Sequence, residues 1–274
     1  MSLLASGRWA APAALLLGVG VPFAFAPFGW FPLAVVAVAL WFLLLRGCSP
    51  RAAWRRGFAF GLGMFGVGVN WVYISIHYYG HSPLPAAIGV AFLLVLYLSL
   101  FPAFLAWAAA RGRASDTVLL LGVLPAGWAL AEWLRSGLFT GFPWLNLGYS
   151  QSDSALAGYA PVLGVYGVSL ATIVSAGLLA AMVRDRARAM LLYVPALIVV
   201  WLGGWALGHI EWTQPSGAPL RVALVQGNVA LAQKWQPDYR QAIVDRYVHL
   251  SEQAGKADLI VWPEAALPGY LEQF

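Results

Sequence analysis

Charge is scarce in this sequence. Of its 274 residues only 10% are Asp, Glu, Lys or Arg, against about a quarter in an ordinary soluble domain. Hydrophobic residues make up 61%. So much apolar surface cannot be hidden inside one aqueous globule, and most of the chain belongs in lipid. Cysteine is nearly absent: the single Cys48 excludes an internal disulfide. The formal net charge is +5, but Lys and Arg together number only 16. Most of the arginines fall in short loops between apolar runs, which is a membrane-topology signal and not a nucleic-acid-binding face. No metal site is expected. His77 and His81 flank "YYG" without a helix, a third ligand or a carboxylate, and read as solvated loop residues. "GLGMFG" at 61–66 satisfies G-x-G-x-x-G, yet it lies in an apolar run with no strand before it, so dinucleotide binding fails on context. With Gly57 and Gly68 it reads as a small-residue face for close helix packing.

What the chain does have is long apolar runs. A helix needs about 20 residues to cross roughly 30 Å of hydrocarbon. Seven candidates lie at about 9–25, 30–45, 57–76, 86–110, 117–135, 159–183 and 190–208. The first two are short and separated by "FAPFGW", which predicts a tight helical hairpin. If the seven alternate, Arg8, Arg46, Arg51, Arg55, Arg56, Arg111, Arg113, Arg184, Arg186 and Arg188 fall on one side, while "FAPFGW" and "HYYGHSPLP" carry no cation. The positive-inside rule then puts the N-terminus in the cytoplasm and everything after residue 208 outside it. A removable signal peptide over 1–26, with "AFA" as cleavage site, is the competing reading. It leaves the tail on the same side.

After residue 208 the composition changes. Acidic residues (seven) outnumber Lys and Arg (five), and the apolar runs shorten. Residues 209–220 read as a linker marked by Pro215, Ser216, Gly217 and Pro219. From 221 to 274 the pattern is strand ("RVALVQ"), a turn at Gly227-Asn228, an amphipathic helix ("PDYRQAIVDRYVHLSEQAG") and a second buried strand ("DLIVW"). In the helix, Ile243, Tyr247, Leu250 and Ala254 share one face and Gly255 suits the C-terminal cap. The fold class expected is therefore a polytopic α-helical membrane bundle, residues 1–208, followed by the first βαβ unit of an external α/β domain. Glu264 in "LIVWPEAALP" sits two residues past a strand end, where functional groups of α/β layers collect. A partly desolvated carboxylate there has a raised pKa and is a candidate general base. A solvated loop glutamate is the alternative.

"LIVWPEAALP", preceded by "VALVQGN" and "QKW", resembles the opening of the nitrilase-type carbon–nitrogen hydrolase domain, an αββα fold with a Glu-Lys-Cys triad. "GVNWVYISI" (68–76), "EWLRSGLFTGFPWLNLGYSQ" (132–151) and "LVQGN…QKW" (224–235) are similar to the apolipoprotein N-acyltransferase branch of that superfamily. The resemblance implies a bacterial inner-membrane enzyme with its external domain on the periplasmic side. Such an enzyme takes an acyl chain from a membrane phospholipid onto a cysteine as a thioester. It then passes the chain to the α-amine of the N-terminal diacylglyceryl-cysteine of a lipoprotein, with no cofactor. Glu264 matches the triad glutamate. The triad Lys and Cys are expected after it and have no counterpart here, since Lys234 and Lys256 precede Glu264 and Cys48 lies on the opposite side. The chain therefore reads as an N-terminal portion that is inactive alone. Trp235 matches a tryptophan at the active-site mouth that contacts acyl chains, with a packing aromatic as the alternative. Trp144 in "GFPWL" is either part of an external loop dipping toward the lipid near the active site or an aromatic-belt residue. Glu132 and Arg135 form either an i,i+3 ion pair or a site in which Arg135 holds a phospholipid phosphate. The resemblance favours the second. Asn70 reads as an interhelical hydrogen-bonding residue. Two rival functions remain at this stage: a membrane-anchored amidase or nitrilase acting on a small amide, and a non-catalytic membrane scaffold.

Overall fold

The computed structural model describes residues 8–112 and 114–269; Arg113, invoked above for orientation, lies outside them. The chain divides into two compact units, Met1–Trp212 and Thr213–Phe274.

Every one of the seven apolar runs is helical, but they are not seven equal crossings. We number them α1 (Ala10–Gly20), α2 (Pro32–Leu45), α3 (Pro50–Gly68), α4 (Leu84–Arg111), α5 (Asp116–Arg135), α6 (Ala160–Arg184) and α7 (Arg186–Gly208). By length and apolarity α4, α5, α7 and α6 with its preceding turn suffice to cross a membrane, and bent α3 makes a fifth candidate. The 14 residues of α2 rise only about 21 Å, short of roughly 30 Å of hydrocarbon. The reason is the expected hairpin: Gly29 turns at φ +67°, and Trp30 N–H closes the loop onto Phe23 O at 3.1 Å. The third run is also not one continuous rod. It breaks after Gly68 and resumes as Val72–Tyr79, bent by 54°. The cause is local: the glycines at 66 and 68 strip β-carbons from the last turn, and the Leu145 side chain packs against Gly68. Asn70 is therefore exposed at the break and not buried between helices.

The glycines of α3 do not form a single face. Gly57 and Gly61 meet the backbone of α4 at Pro102–Ala103 and Ser99, Gly63 meets Leu15 and Val19 of α1, and Gly66 meets nothing within 4 Å among the described residues. Missing β-carbons thus let α3 approach two helices closely. Behind it lies an aromatic core. Trp41 of α2 stacks on Phe60 of α3 at 4.6 Å and meets the edge of Trp128 of α5 at 5.7 Å. Many large apolar side chains, among them Leu16, Phe92, Leu93, Leu191 and Val199, face outward, as lipid-facing surfaces require.

At one end of the bundle Asp116 Oδ2 accepts from Arg46 (2.6 Å) and Arg184 (2.7 Å), which joins the ends of α2 and α6 to the start of α5. The arginine-rich loops thus share that end. Cys48 lies there with its Sγ donating to Leu45 O at 2.9 Å. Burial pushes its thiol up from the ordinary value, and the charge of Arg56 and the local backbone offset only part of this. Maleimide labelling of Cys48 in detergent is expected to be slow at pH 7. It should accelerate only above the usual thiol range near pH ~8.5; rapid labelling at neutral pH would reveal a thiolate instead.

In the second unit β1 (Val222–Leu224) pairs in parallel with β2 (Leu259–Val261), Val222 opposite Leu259. Between them runs α8 (Arg240–Gln253). Ile243 and Tyr247 of α8 are buried against Val225 and Ala266. Leu250 is half-buried and Ala254, expected on the same face, is exposed because the helix ends first. Gly255 takes φ +65° past the helix end, and Asn228 turns at φ +46°. The Tyr247 ring leaves no room for a β-carbon on Gly227, which would come within 2.6 Å. Trp262 packs tilted against Tyr247 at 5.3 Å and donates to Ser251 Oγ at 2.9 Å. Val222, Leu224 and Leu259–Val261 keep exposed apolar side chains. This two-stranded parallel start is the beginning of an α/β layer.

Candidate functional site

The end of the first unit opposite the arginine loops carries its polar chemistry. α5 ends at Arg135, and the chain continues through "SGLFTGFPWLNLG" before the short 3₁₀ turn Leu147–Gln151. Phe139, Thr140 and Leu145 adopt φ of 51°, 74° and 61°. For residues with a β-carbon this left-handed region costs of order 1–3 kcal/mol each and persists only where the surroundings enforce it.

Two side chains of the last turn of α5 do the enforcing. Glu132 and Arg135 are each only 3% exposed. Glu132 Oε1 accepts from Leu147 N–H and from the indole N–H of Trp128, both at 2.8 Å. Among the described residues its buried Oε2 has no hydrogen-bonded partner, although the Ser169 hydroxyl of α6 stands close to the carboxylate. That hydroxyl accepts from Gly148 N–H at 2.7 Å. The Arg135 guanidinium donates to Phe142 O at 2.8 Å, to Trp144 O and to Asn146 Oδ1, and lies over the Phe65 ring at 5.3 Å. Arg135 O accepts from Phe142 N–H at 2.9 Å. Buried backbone groups of an irregular loop must find partners, and here α5 and α6 supply them.

Of the two alternatives for Glu132 and Arg135, the direct ion pair is absent: among the described residues no salt bridge within 4 Å joins them. Both hold the same segment, Glu132 by the Leu147 N–H and Arg135 by two carbonyls and the Asn146 side chain. A phosphate at Arg135 would have to share the guanidinium with Phe142, Trp144 and Asn146.

The loop places Trp144 at the rim of an aromatic cleft of about 640 Å³. Trp144 is 48% exposed and lies 5.2 Å from Trp71, which flanks the break in α3. Phe23, Phe25 and Phe28 from the α1–α2 turn and Tyr149 complete the lining. A mostly apolar hollow with aromatic rims at the end of a membrane bundle suits an apolar chain or a lipid, not a charged solute. A second groove, about 430 Å³ and almost wholly apolar, runs between α4 and α5 past Tyr97, Phe101, Leu130 and Leu134.

In the second unit Glu264 stands in a turn just past β2, and its neighbour Ala265 takes φ +52°. Its side chain is exposed, not partly desolvated as expected, because it points away from the small core that Val225, Ile243, Tyr247 and Ala266 form in this unit. Trp235 closes the one-turn helix Leu231–Lys234, is 62% exposed and has Lys234 Nζ 5.9 Å from its ring. Among the described residues no hydrogen bond or ring contact joins Trp235 to Glu264. The four residues singled out in the sequence therefore fall in two pairs: Arg135 with Trp144, brought together by one loop, and Trp235 with Glu264 on the second unit. His77 bonds through Nδ1 to Ser82 O at 2.8 Å. Sequence reasoning missed Asn146, Trp71 and the grip of Glu132 on Leu147. The available signal was that "GFPWLNLG" is too apolar for a solvated loop and so needs buried partners for its backbone.

The sequence matches the family described as "Apolipoprotein N-acyltransferase N-terminal domain" over residues 17–178. The apolipoprotein N-acyltransferase of Methylococcus capsulatus is 44% identical over 263 residues, covering 95% of this chain and 52% of that protein. The one from Coxiella burnetii is 40% identical over 263 residues, covering 95% and 54%. That of Ralstonia nicotianae is 44% identical over 278 residues, covering 98% and 52%. The chain thus spans about half the length of the curated relatives it matches.

Proposed function

The chain belongs to the apolipoprotein N-acyltransferase N-terminal domain family, and from that premise we propose that the full-length protein N-acylates lipoproteins. The acyl donor is a membrane phospholipid and the acceptor is the α-amine of an N-terminal diacylglyceryl-cysteine. The observation that carries this reading is sequence identity of 40–44% over 95% of the chain, a share that takes in both units. The aromatic cleft supports it, since both substrates are lipids.

In this proposal the reaction has two steps. Glu264, acting as general base, takes the proton of a cysteine thiol, and the thiolate attacks the ester carbonyl of the phospholipid. A lysophospholipid alkoxide leaves with a proton, and the acyl chain remains as a thioester. The lipoprotein amine then attacks the thioester carbonyl, an amide forms and the thiol returns. In this reading a cysteine nucleophile and a triad lysine, which the family resemblance implies, complete the site with Glu264. Trp235 contacts acyl chains at the active-site mouth, and Trp144 dips toward the lipid near it. The arginine-bearing ends face the cytoplasm by the positive-inside rule, and residues after 208 lie on the periplasmic side of the bacterial inner membrane.

The test uses full-length protein in phospholipid vesicles with a diacylglyceryl-cysteine peptide. The peptide is expected to gain the mass of one acyl chain, and the vesicles one lysophospholipid per transfer. Ammonia release from small amides without any mass gain would instead identify a membrane-anchored amidase and sink the acyltransferase reading.

A further inference from the structure

No step above uses the buried carboxylate of Glu132, yet a carboxylate inside a membrane bundle is costly to keep. A hydrophobic residue would fill the same space at lower cost. Glu132 is held from behind by Trp128, itself wedged in the Trp41–Phe60 core, and forward it meets Leu147 N–H. The loop ahead of that contact contains three left-handed residues with β-carbons, so it relaxes once released. Its far side carries Trp144, placed against Trp71 at the mouth of the cleft.

We propose that Glu132 is a positioning residue for acyl transfer: it fixes the 136–147 loop through one acceptor oxygen and so sets Trp144 at the rim of the donor cleft. The inference rests on the acyltransferase reading for its kinetic consequence and on the geometry alone for the clamp. What matters is the reach of Oε1 and not the charge, because Oε1 accepts two N–H groups and no cation is paired with the carboxylate within 4 Å among the described residues.

Reach and charge separate in two variants of the full-length protein. Glu132→Gln keeps the acceptor at the same distance and removes the charge, whereas Glu132→Asp keeps the charge and withdraws the oxygen by one methylene. The expected result is that E132Q retains a near-normal KM for phospholipid donor. E132D should raise that KM about tenfold, the loss of one ordinary hydrogen bond, with kcat little changed because uniform binding is lost. Amide hydrogen exchange of the loop peptide provides a readout independent of activity. Exchange should be faster than wild type in E132D and unchanged in E132Q, with other peptides unaffected. E132D behaving as wild type, or E132Q failing as badly as E132D, would overturn the assignment. So would faster loop exchange without any change in KM. If the wild-type protein transfers no acyl chain, the acyltransferase reading fails, and the exchange contrast alone decides whether Glu132 holds the loop.

Discussion

Glu264→Gln in the full-length protein is expected to slow formation of the acyl-thioester by about 10²–10⁴-fold, the usual contribution of a positioned general base. The amide is nearly isosteric with the carboxylate but cannot take the thiol proton. Nothing in the second unit depends on the charge. The side chain is exposed, and among the described residues it enters no hydrogen bond or ion pair, while the core of Val225, Ile243, Tyr247 and Ala266 lies elsewhere. Melting temperature should therefore be unchanged, which separates a chemical effect from a folding one. Thioester labelling with a tagged phospholipid, released by hydroxylamine, provides the measurement. Undiminished labelling of the glutamine variant would assign the proton to another base. A loss of labelling accompanied by unfolding would show Glu264 to be structural.

The architecture was legible because its physics is one-dimensional. Runs of apolar residues separated by arginines name the helices, and Asp116 joining Arg46 to Arg184 shows two of the arginine-bearing helix ends meeting at one end of the bundle. Tyr247 and Ile243 share a buried face because the helical period requires it. The candidate site was legible only in part. "GFPWL" marked Trp144 as a candidate, and the spacing of Glu132 and Arg135 suggested either an ion pair, which is absent among the described residues, or a phosphate at Arg135. A three-residue spacing on a helix specifies a common direction and says nothing about what lies ahead. What lies ahead is a loop folded back over the helix end, and its carbonyls and N–H groups take up both side chains. The bend in α3 was hidden for a similar reason, since no proline marks it. It depends on Leu145 packing against Gly68 from a segment 77 residues later.

Gly63→Ala should destabilise the bundle strongly, whereas Gly66→Ala, the same change three residues along the same helix, should not. A β-carbon on Gly63 would overlap Leu15 O and lie 2.8 Å from Val19 N, both backbone atoms of α1 that no rotamer change can move. α1 and α3 would have to separate by about an ångström or more to restore ordinary contact. Overpacking of a well-packed core costs typically ~1–3 kcal/mol, occasionally more. Added to the loss of the close approach on which apolar helices depend, it should lower the melting temperature by about 2–12 °C, given ~2–4 °C per kcal/mol at this size. Among the described residues Gly66 has no atom within 4 Å of the added carbon, and alanine gains up to about 1 kcal/mol in helix propensity there, so its melting temperature should hold or rise. Thermal unfolding of the two variants in detergent makes the comparison. Equal tolerance would mean that α1 and α3 do not approach at this distance. The contact also reaches the cleft, because Phe23 and Phe25 follow α1 while Val67, Gly68 and Trp71 end α3. Forcing the helices apart spreads the two walls that Trp144 spans, so Gly63→Ala should weaken donor binding even at temperatures where the protein stays folded.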